Sequence, residues 1–339
     1  MRKVKPFVFL LIIFILSCGG SKKLSIDQIL EYTGRDQLPE KEEFAEDGAV
    51  ILYEDTKTRF FLDSNWNLSR TQTYHLVFQY FNDKAEDYLT RTIYLDKDRI
   101  LRSFSANTRK PDGTVIELTE EDLYPTQVKK DFIEFTNNTS LKFTFPGVEP
   151  GAILEYRYEV RIFDKFSLND QWYIQISLPK LYTRYSVQIP VIMLEHNINW
   201  NYYPINVVMD SPKQVKDIVN QNSLKDRNYT YYWEFRNVPA LDYEPNMPPY
   251  DDIAQYAILG IQRKSWNDLS KIYWNAVEDK FASFNEAEIQ ELAKSIVGDV
   301  SDDFSKIERI FHYTQRNFRY VAIDIDDSGY IPNYPKVIL

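Results

Sequence analysis

Cysteine is almost absent: Cys18 stands alone among 339 residues. A single thiol can close no intrachain disulfide, even where the compartment would permit one. Histidine is nearly as scarce, with only His75, His196 and His312. No two of them fall at helical spacing and no His-Glu-x-x-His run occurs, so no metal site is expected. Glycine numbers ten, and neither a Gly-x-Ser-x-Gly elbow nor a Gly-rich phosphate loop is present, so no cofactor is expected. Long apolar runs are missing too. The longest, "FVFLLIIFIL" (Phe7 to Leu16), is half the roughly 20 residues a membrane-spanning helix needs. Nothing resembling a Lys/Arg stripe offsets the net charge of −10. An acidic surface repels phosphate backbones, so nucleic acid is excluded as a partner. The run Asp324, Asp326, Ser328, Gly329 matches the opening of a calcium loop, but the twelfth position is Pro335 instead of a bidentate Glu. It reads as a polar turn.

What is present begins with an export pattern. Arg2, Lys3 and Lys5 precede the apolar run, and "ILSC" follows it with Ser17 directly before Cys18. The order of basic, apolar and small residues resembles a bacterial lipobox. It implies a lipoprotein signal peptide over residues 1–17, acyl chains on Cys18, and a tether over residues 18–47 that starts with "GGSKKLS". The alternatives are an ordinary signal peptide cut elsewhere or a short anchor. Gly19 follows the cysteine where an acidic residue would argue for inner-membrane retention, so an outer-membrane anchor facing the periplasm is expected. With lipid on Cys18, no free thiol remains among these residues for nucleophilic catalysis.

Aromatic residues are abundant, with 25 Tyr, 21 Phe and 6 Trp. They suit sheet interiors, where cross-strand aromatic pairs stabilise the ladder, and less economically a sugar-binding surface. From about Gly48 to Tyr250 the hydrophobic period is two, within a β-rich domain expected over residues 48–262. In "ILEYRYEVRIF", Leu154, Tyr156, Tyr158, Val160 and Ile162 fall on one side. Ile153, Glu155, Arg157, Glu159 and Arg161 fall on the other. This predicts antiparallel strands with one buried and one wet face. The same rule in "TYHLVFQY" puts Tyr74, Leu76, Phe78 and Tyr80 inward and His75 in solvent. "KPDGT" (Lys110 to Thr114) and "FPGVEPGA" (Phe145 to Ala152) read as turns. "SPKQVKDIVNQ" reads as a short helix with Val215, Ile218 and Val219 on one side. The sum is a sandwich-like, mainly β domain.

After residue 263 the period becomes helical. "SWNDLSKIYWNAV" turns Leu269, Ile272, Tyr273 and Val277 inward. "NEAEIQELAKSIVG" runs from an Asn285 cap to Gly298 with Ile289, Leu292, Ala293 and Ile296 in one stripe. "DDFSKIERIFHYTQRNF" carries Phe304, Ile307, Ile310 and Phe311, with His312 expected partly buried beside Phe311. "RYVAIDI" returns to strand.

"PDGTVIEL", "FPGVEPGAILEYRYEV" and "YYWEFRNVPALDYEPNMPPYDDIAQY" resemble the bacterial exported module known as domain of unknown function 3857. "DDFSKIERIFHYTQRNFRYVAIDI" and "GYIPNYPKVIL" resemble the front of the transglutaminase-like domain that follows it in such proteins. The resemblance implies an α+β, papain-like second unit over residues 263–339, cut short of the Gly-Asp-Cys motif and of the His and Asp completing its triad. No catalytic residue is therefore assigned, and Cys18 is the one assigned site. The expected function is a lipid-anchored envelope protein acting as a binding or scaffolding module, with a protein or peptidoglycan-type peptide as ligand. The alternative is a fragment, or one half of a split pair, of a Cys-His-Asp amidase or protease. Apolar stripes left without sheet neighbours need a cover.

Overall fold

The computed structural model describes residues 23–62, 68–95, 98–127, 139–163, 169–195, 199–218, 227–262, 265–282 and 286–318. The expectations for Cys18, His196, Asn285, Val219 and the stretch from Arg319 onward lie outside the described residues.

Among the described residues, fourteen strands follow the stretch that alternates in sequence. They are β1 (Ala49–Leu62), β2 (Leu68–Tyr80), β3 (Thr90–Leu95), β4 (Arg99–Arg109), β5 (Val115–Leu118), β6 (Tyr124–Gln127) and β7 (Thr139–Thr144), then β8 (Ile153–Ile162), β9 (Asn169–Tyr173), β10 (Lys180–Pro190), β11 (Asn199–Ile205), β12 (Lys213–Ile218), β13 (Arg227–Val238) and β14 (Tyr256–Gln262). The helices are α1 (Ile26–Thr33), α2 (Val191–Glu195), α3 (Tyr250–Ile253), α4 (Trp266–Ala282), α5 (Glu286–Val297) and α6 (Asp303–Asn317).

One eight-stranded sheet dominates, in the order β12-β13-β10-β1-β2-β8-β4-β5. All of its pairings are antiparallel except β1 with β10, which run parallel. Two three-stranded sheets, β3-β7-β6 and β11-β14-β9, cover one face of it. The first closes a core around Leu76, Phe78, Phe104, Phe143, Leu154 and Tyr156. The second closes another around Phe60, Trp172, Tyr185, Val187 and Trp233. The aromatics accordingly fill sheet interiors: Phe143 meets Phe104, Phe145 and Tyr156 edge-on with centroids 4.8–5.5 Å apart. The fold is the mainly β domain expected, doubled into two sandwich halves on one shared sheet.

The Pro-Asp-Gly turn joins β4 to β5, with Lys110 N–H bonded to Thr114 O and Gly113 at φ +89°. Only glycine takes that backbone region without strain. "SPKQVKDIVNQ" departs from its helical reading: β12 pairs with β13 from Lys213↔Tyr232 to Ile218↔Arg227. A neighbouring strand edge outweighs weak local periodicity.

The larger correction concerns the tether. From Lys23 the chain lies on the second face of the great sheet instead of hanging free. Ser25 and Gln28 form a reciprocal capping box and Gly34 ends α1 in the left-handed region. Ile29 is fully buried, over a third core of Val50, Leu52, Tyr53, Val77, Phe81 and Ile153. The face expected to be wet is therefore split. Its upper half is covered, while Lys57 and Arg59 on the lower half remain exposed.

Beyond β14, α4 buries Val277 but leaves Tyr273 exposed. α5 ends at Gly298, whose N–H bonds Lys294 O. Asp302 caps α6 through Ser305 N–H. Phe304 is 77% and Ile307 65% exposed, so the stripe expected to need a cover is open among the described residues. His312, expected partly buried, is exposed as well, beside Gln315 and Glu308, because no residue of α6 is buried among the described residues.

Candidate functional site

Two polar clusters interrupt these cores. The first is a buried seam between the sandwich halves. Lys180 Nζ donates to Glu54 Oε2 at 2.6 Å and to Tyr173 O at 2.8 Å. Thr183 Oγ1 donates to the same carboxylate oxygen at 2.6 Å, and Tyr74 OH to Oε1 at 2.8 Å. Nearby, Asp170 accepts from Tyr185 OH at 2.6 Å and from Thr58, and pairs with Arg70 at 3.3 Å. Both carboxylates are saturated and no approach from solvent is open to them, which is how a structural pin is built.

The second cluster lies on the sheet's other face, where α1 begins. Register aligns one row across five strands: Arg184, Asp55, His75, Arg157 and Ser105. The next row sets Val77, Glu155 and Asn107 side by side. The cleft they line has a volume of about 350 Å³ and is closed on one side by Lys23.

His75, expected in solvent, is buried here. Its Nε2 lies 2.8 Å from Glu155 Oε1 and its ring meets the Tyr53 ring at 5.3 Å. The face assignment from alternation holds; what fails is the assumption that this face is wet, because α1 and the segment before it cover it. Glu155 also accepts from Leu24 N–H and, at Oε2, from the Asn107 amide, both at 3.2 Å. Burial by itself raises the Glu155 carboxyl, but the hydrogen bond and charge of His75, then Asn107 and Leu24, outweigh it and hold the group below its ordinary value. Arg109 donates to Leu24 O at 3.2 Å and Lys23 pairs with Glu117, so the strap is held at three points.

Arg157 differs from its neighbours. Half-buried in the cleft wall, it makes no side-chain hydrogen bond or ion pair among the described residues. The acids around it are committed: Glu155 to His75, Asp55 to Arg184 at 2.7 and 3.0 Å, and Glu159 to Thr73 at 3.3 Å. Asn107 Oδ1 is buried without a partner, since the amide's nitrogen serves Glu155. The cleft thus offers one free guanidinium beside a fixed His–Glu pair. Sequence reading places Glu155 and Arg157 on the wet face and assigns Asn107 to none. The signal lay in Ile153 and Val77, apolar residues of the same parity, and in the Ser25/Gln28 capping box that announces α1.

Among the described residues no group of three or more His, Cys, Asp or Glu is placed to hold a metal ion. No described helix is long and apolar enough to cross a membrane.

No curated protein matches the chain. A solved structure from Parabacteroides distasonis ATCC 8503, described as a "putative protease", is similar over 86% of this chain with TM-score 0.59 and 14% identity. That likeness concerns the fold alone, and this chain spans 55% of that protein's length. An M1 zinc metallopeptidase from Deinococcus radiodurans is similar over 63% of this chain and 42% of its own, at 10% identity and TM-score 0.31, too distant to bear on the fold. Residues 67–242, just over half of the sequence, match the family described as "Domain of Unknown Function with solved-structure structure (DUF3857)". That span holds β2 to β13 and every residue lining the cleft except Lys23, and on that match the chain belongs to the DUF3857 family.

Proposed function

We propose that the protein is a non-catalytic binding module of the bacterial cell envelope, held by lipid on Cys18 at the outer membrane and facing the periplasm. Its ligand site is the cleft beside α1. The observation that carries this reading is the free Arg157 guanidinium in a wall whose acids are all engaged elsewhere. An arginine in a cleft wall whose neighbouring acids are all paired is available to an anionic ligand. The strap from Lys23 to Ser25 supports the anchor part. It brings the start of the folded unit to the cleft, five residues after Cys18.

The test has two parts. Metabolic acyl labelling should disappear in Cys18→Ala; labelling that persists refutes the anchor. For the cleft, a set of small polar fragments is screened against the purified chain with the His75 imidazole signal as reporter. Hits that shift it support the site, and a screen in which none does refutes it.

A second reading is favoured by the open stripe of α6. In it residues 265–318 form the front of a transglutaminase-like unit, and the chain belongs to a larger Cys-His-Asp protease or amidase. The sole cysteine, Cys18, serves the anchor in this reading too, so the purified 339-residue chain should hydrolyse no peptide amide. Turnover would overturn the non-catalytic assignment.

A further inference from the structure

We infer that the ligand of this cleft carries a carboxylate, as the C-terminus of a short peptide does. The inference rests on the cleft being a ligand site, as argued above.

The anion comes first. A guanidinium presents a planar fork that matches carboxylate or phosphate with two parallel hydrogen bonds. Arg184 satisfies that preference inside the protein, with Nε and Nη2 on the two oxygens of Asp55 at 2.7 and 3.0 Å. Arg157 has the same need and no internal acid to meet it. Glu155, two residues away on β8, is prevented from turning to it: Oε1 is taken by His75 and Leu24, and Oε2 by Asn107. The His75–Glu155 pair therefore has a definite role in the site, which is to keep Arg157 available.

The local charge then chooses between anions. Lys23 pairs with Glu117 and Glu155 is held by His75, so Arg157 is the cation of the lining that no described acid meets. Glu155 and Glu117 also line the cleft. A singly charged carboxylate fits that balance; a doubly charged phosphate would meet two carboxylates and one free cation.

A cleft of about 350 Å³ holds one or two peptide residues, at the small end of ligand sites.

The purified full chain is titrated calorimetrically with N-acetyl-Ala-Ala, its C-terminal amide, acetate and inorganic phosphate, and His75 is followed in parallel. The expected result is binding of the free acid at least tenfold tighter than the amide, acetate or phosphate. Arg157→Gln should weaken the acid at least tenfold and leave the melting temperature unchanged, while Arg157→Lys should restore part of the affinity. Equal affinity for acid and amide, tighter binding of phosphate, no binding of the acid, or indifference to Arg157→Gln each overturns the inference. The two failures separate cleanly. If fragments lacking a carboxylate shift His75, the cleft stands and the ligand class falls; if nothing shifts it, both fall.

Discussion

Replacing Ile29 by alanine tests whether the segment after the cysteine is a folded part of the β unit. Ile29 is 1% exposed and sits over Val50, Leu52, Tyr53 and Val77. The change removes three carbons, worth about 0.8 kcal/mol each on burial, and leaves a cavity that adds roughly 1 kcal/mol more. The full loss is therefore about 3–4 kcal/mol, or about 10 °C in melting temperature for a unit of this size. Undocking of α1 sets a ceiling. The helix has eight residues and is otherwise held by its caps, by Arg236 Nε on Tyr32 O at 2.9 Å, and by the contacts of Leu24. If docking is weaker than the cavity cost, the helix detaches first. The Gly34 amide, bonded to Leu30 O at 2.8 Å, then exchanges much faster than amides of β1 and β2. Urea denaturation and amide exchange read the two regimes separately. A variant that melts within 1 °C of the parent, with Gly34 exchange unchanged, would refute the docking and return residues 18–47 to a tether.

Three further outcomes follow from the same physics. Lys180→Met leaves Glu54 buried without its cation and should cost about 3–5 kcal/mol in urea unfolding, with part recovered in the double variant carrying Glu54→Gln; a loss below about 1 kcal/mol would contradict the seam's structural role. Glu155 has a lowered folded pKa, so its contribution is complete above the ordinary value of 4.5 and is lost as pH falls through the folded value. Melting curves of the parent should drop more steeply below pH 4.5 than those of Glu155→Gln, and parallel curves would count against the His75–Glu155 pair. Gly113→Ala meets no neighbouring atom but takes φ +89°, so it should destabilise by about 1–2 kcal/mol through backbone strain alone.

Alternation alone located the strands and sorted their faces. Leu154, Tyr156, Val160 and Ile162 line the first core as their spacing requires, and the Pro-Asp-Gly and Phe-Pro-Gly-Val turns fall where their residues place them. Period-two patterning cannot tell a wet face from one covered by a distant segment. That is why His75 was assigned to solvent and Glu155 and Arg157 to a charged surface. The cover comes from residues 23–34, a stretch too short, and too close to the expected signal segment, to weigh against a flexible reading. Yet Ser25, Gln28, Ile29 and Gly34 already spell a capped amphipathic turn. The β12 strand was misread because Val215 and Ile218 fit both periods, and only the edge of β13 decides between them. The site was illegible for a further reason: it is made by register across β2, β8 and β4, and register is fixed by pairings that no single stretch encodes.

The parallel contact of β1 with β10 has a kinetic consequence. Asp55 meets Arg184 across 129 positions of chain, and β1 lies in the middle of the great sheet. A polypeptide emerging from its N-terminus has to wait for that distant stretch before its central strand gains a second neighbour. Long-range pairing of this kind slows folding, since the ends of a large loop must meet before any contact rewards them. A late-closing centre leaves β1 and β2 as an open hairpin, exposed on one edge, until residues 180–190 have been made.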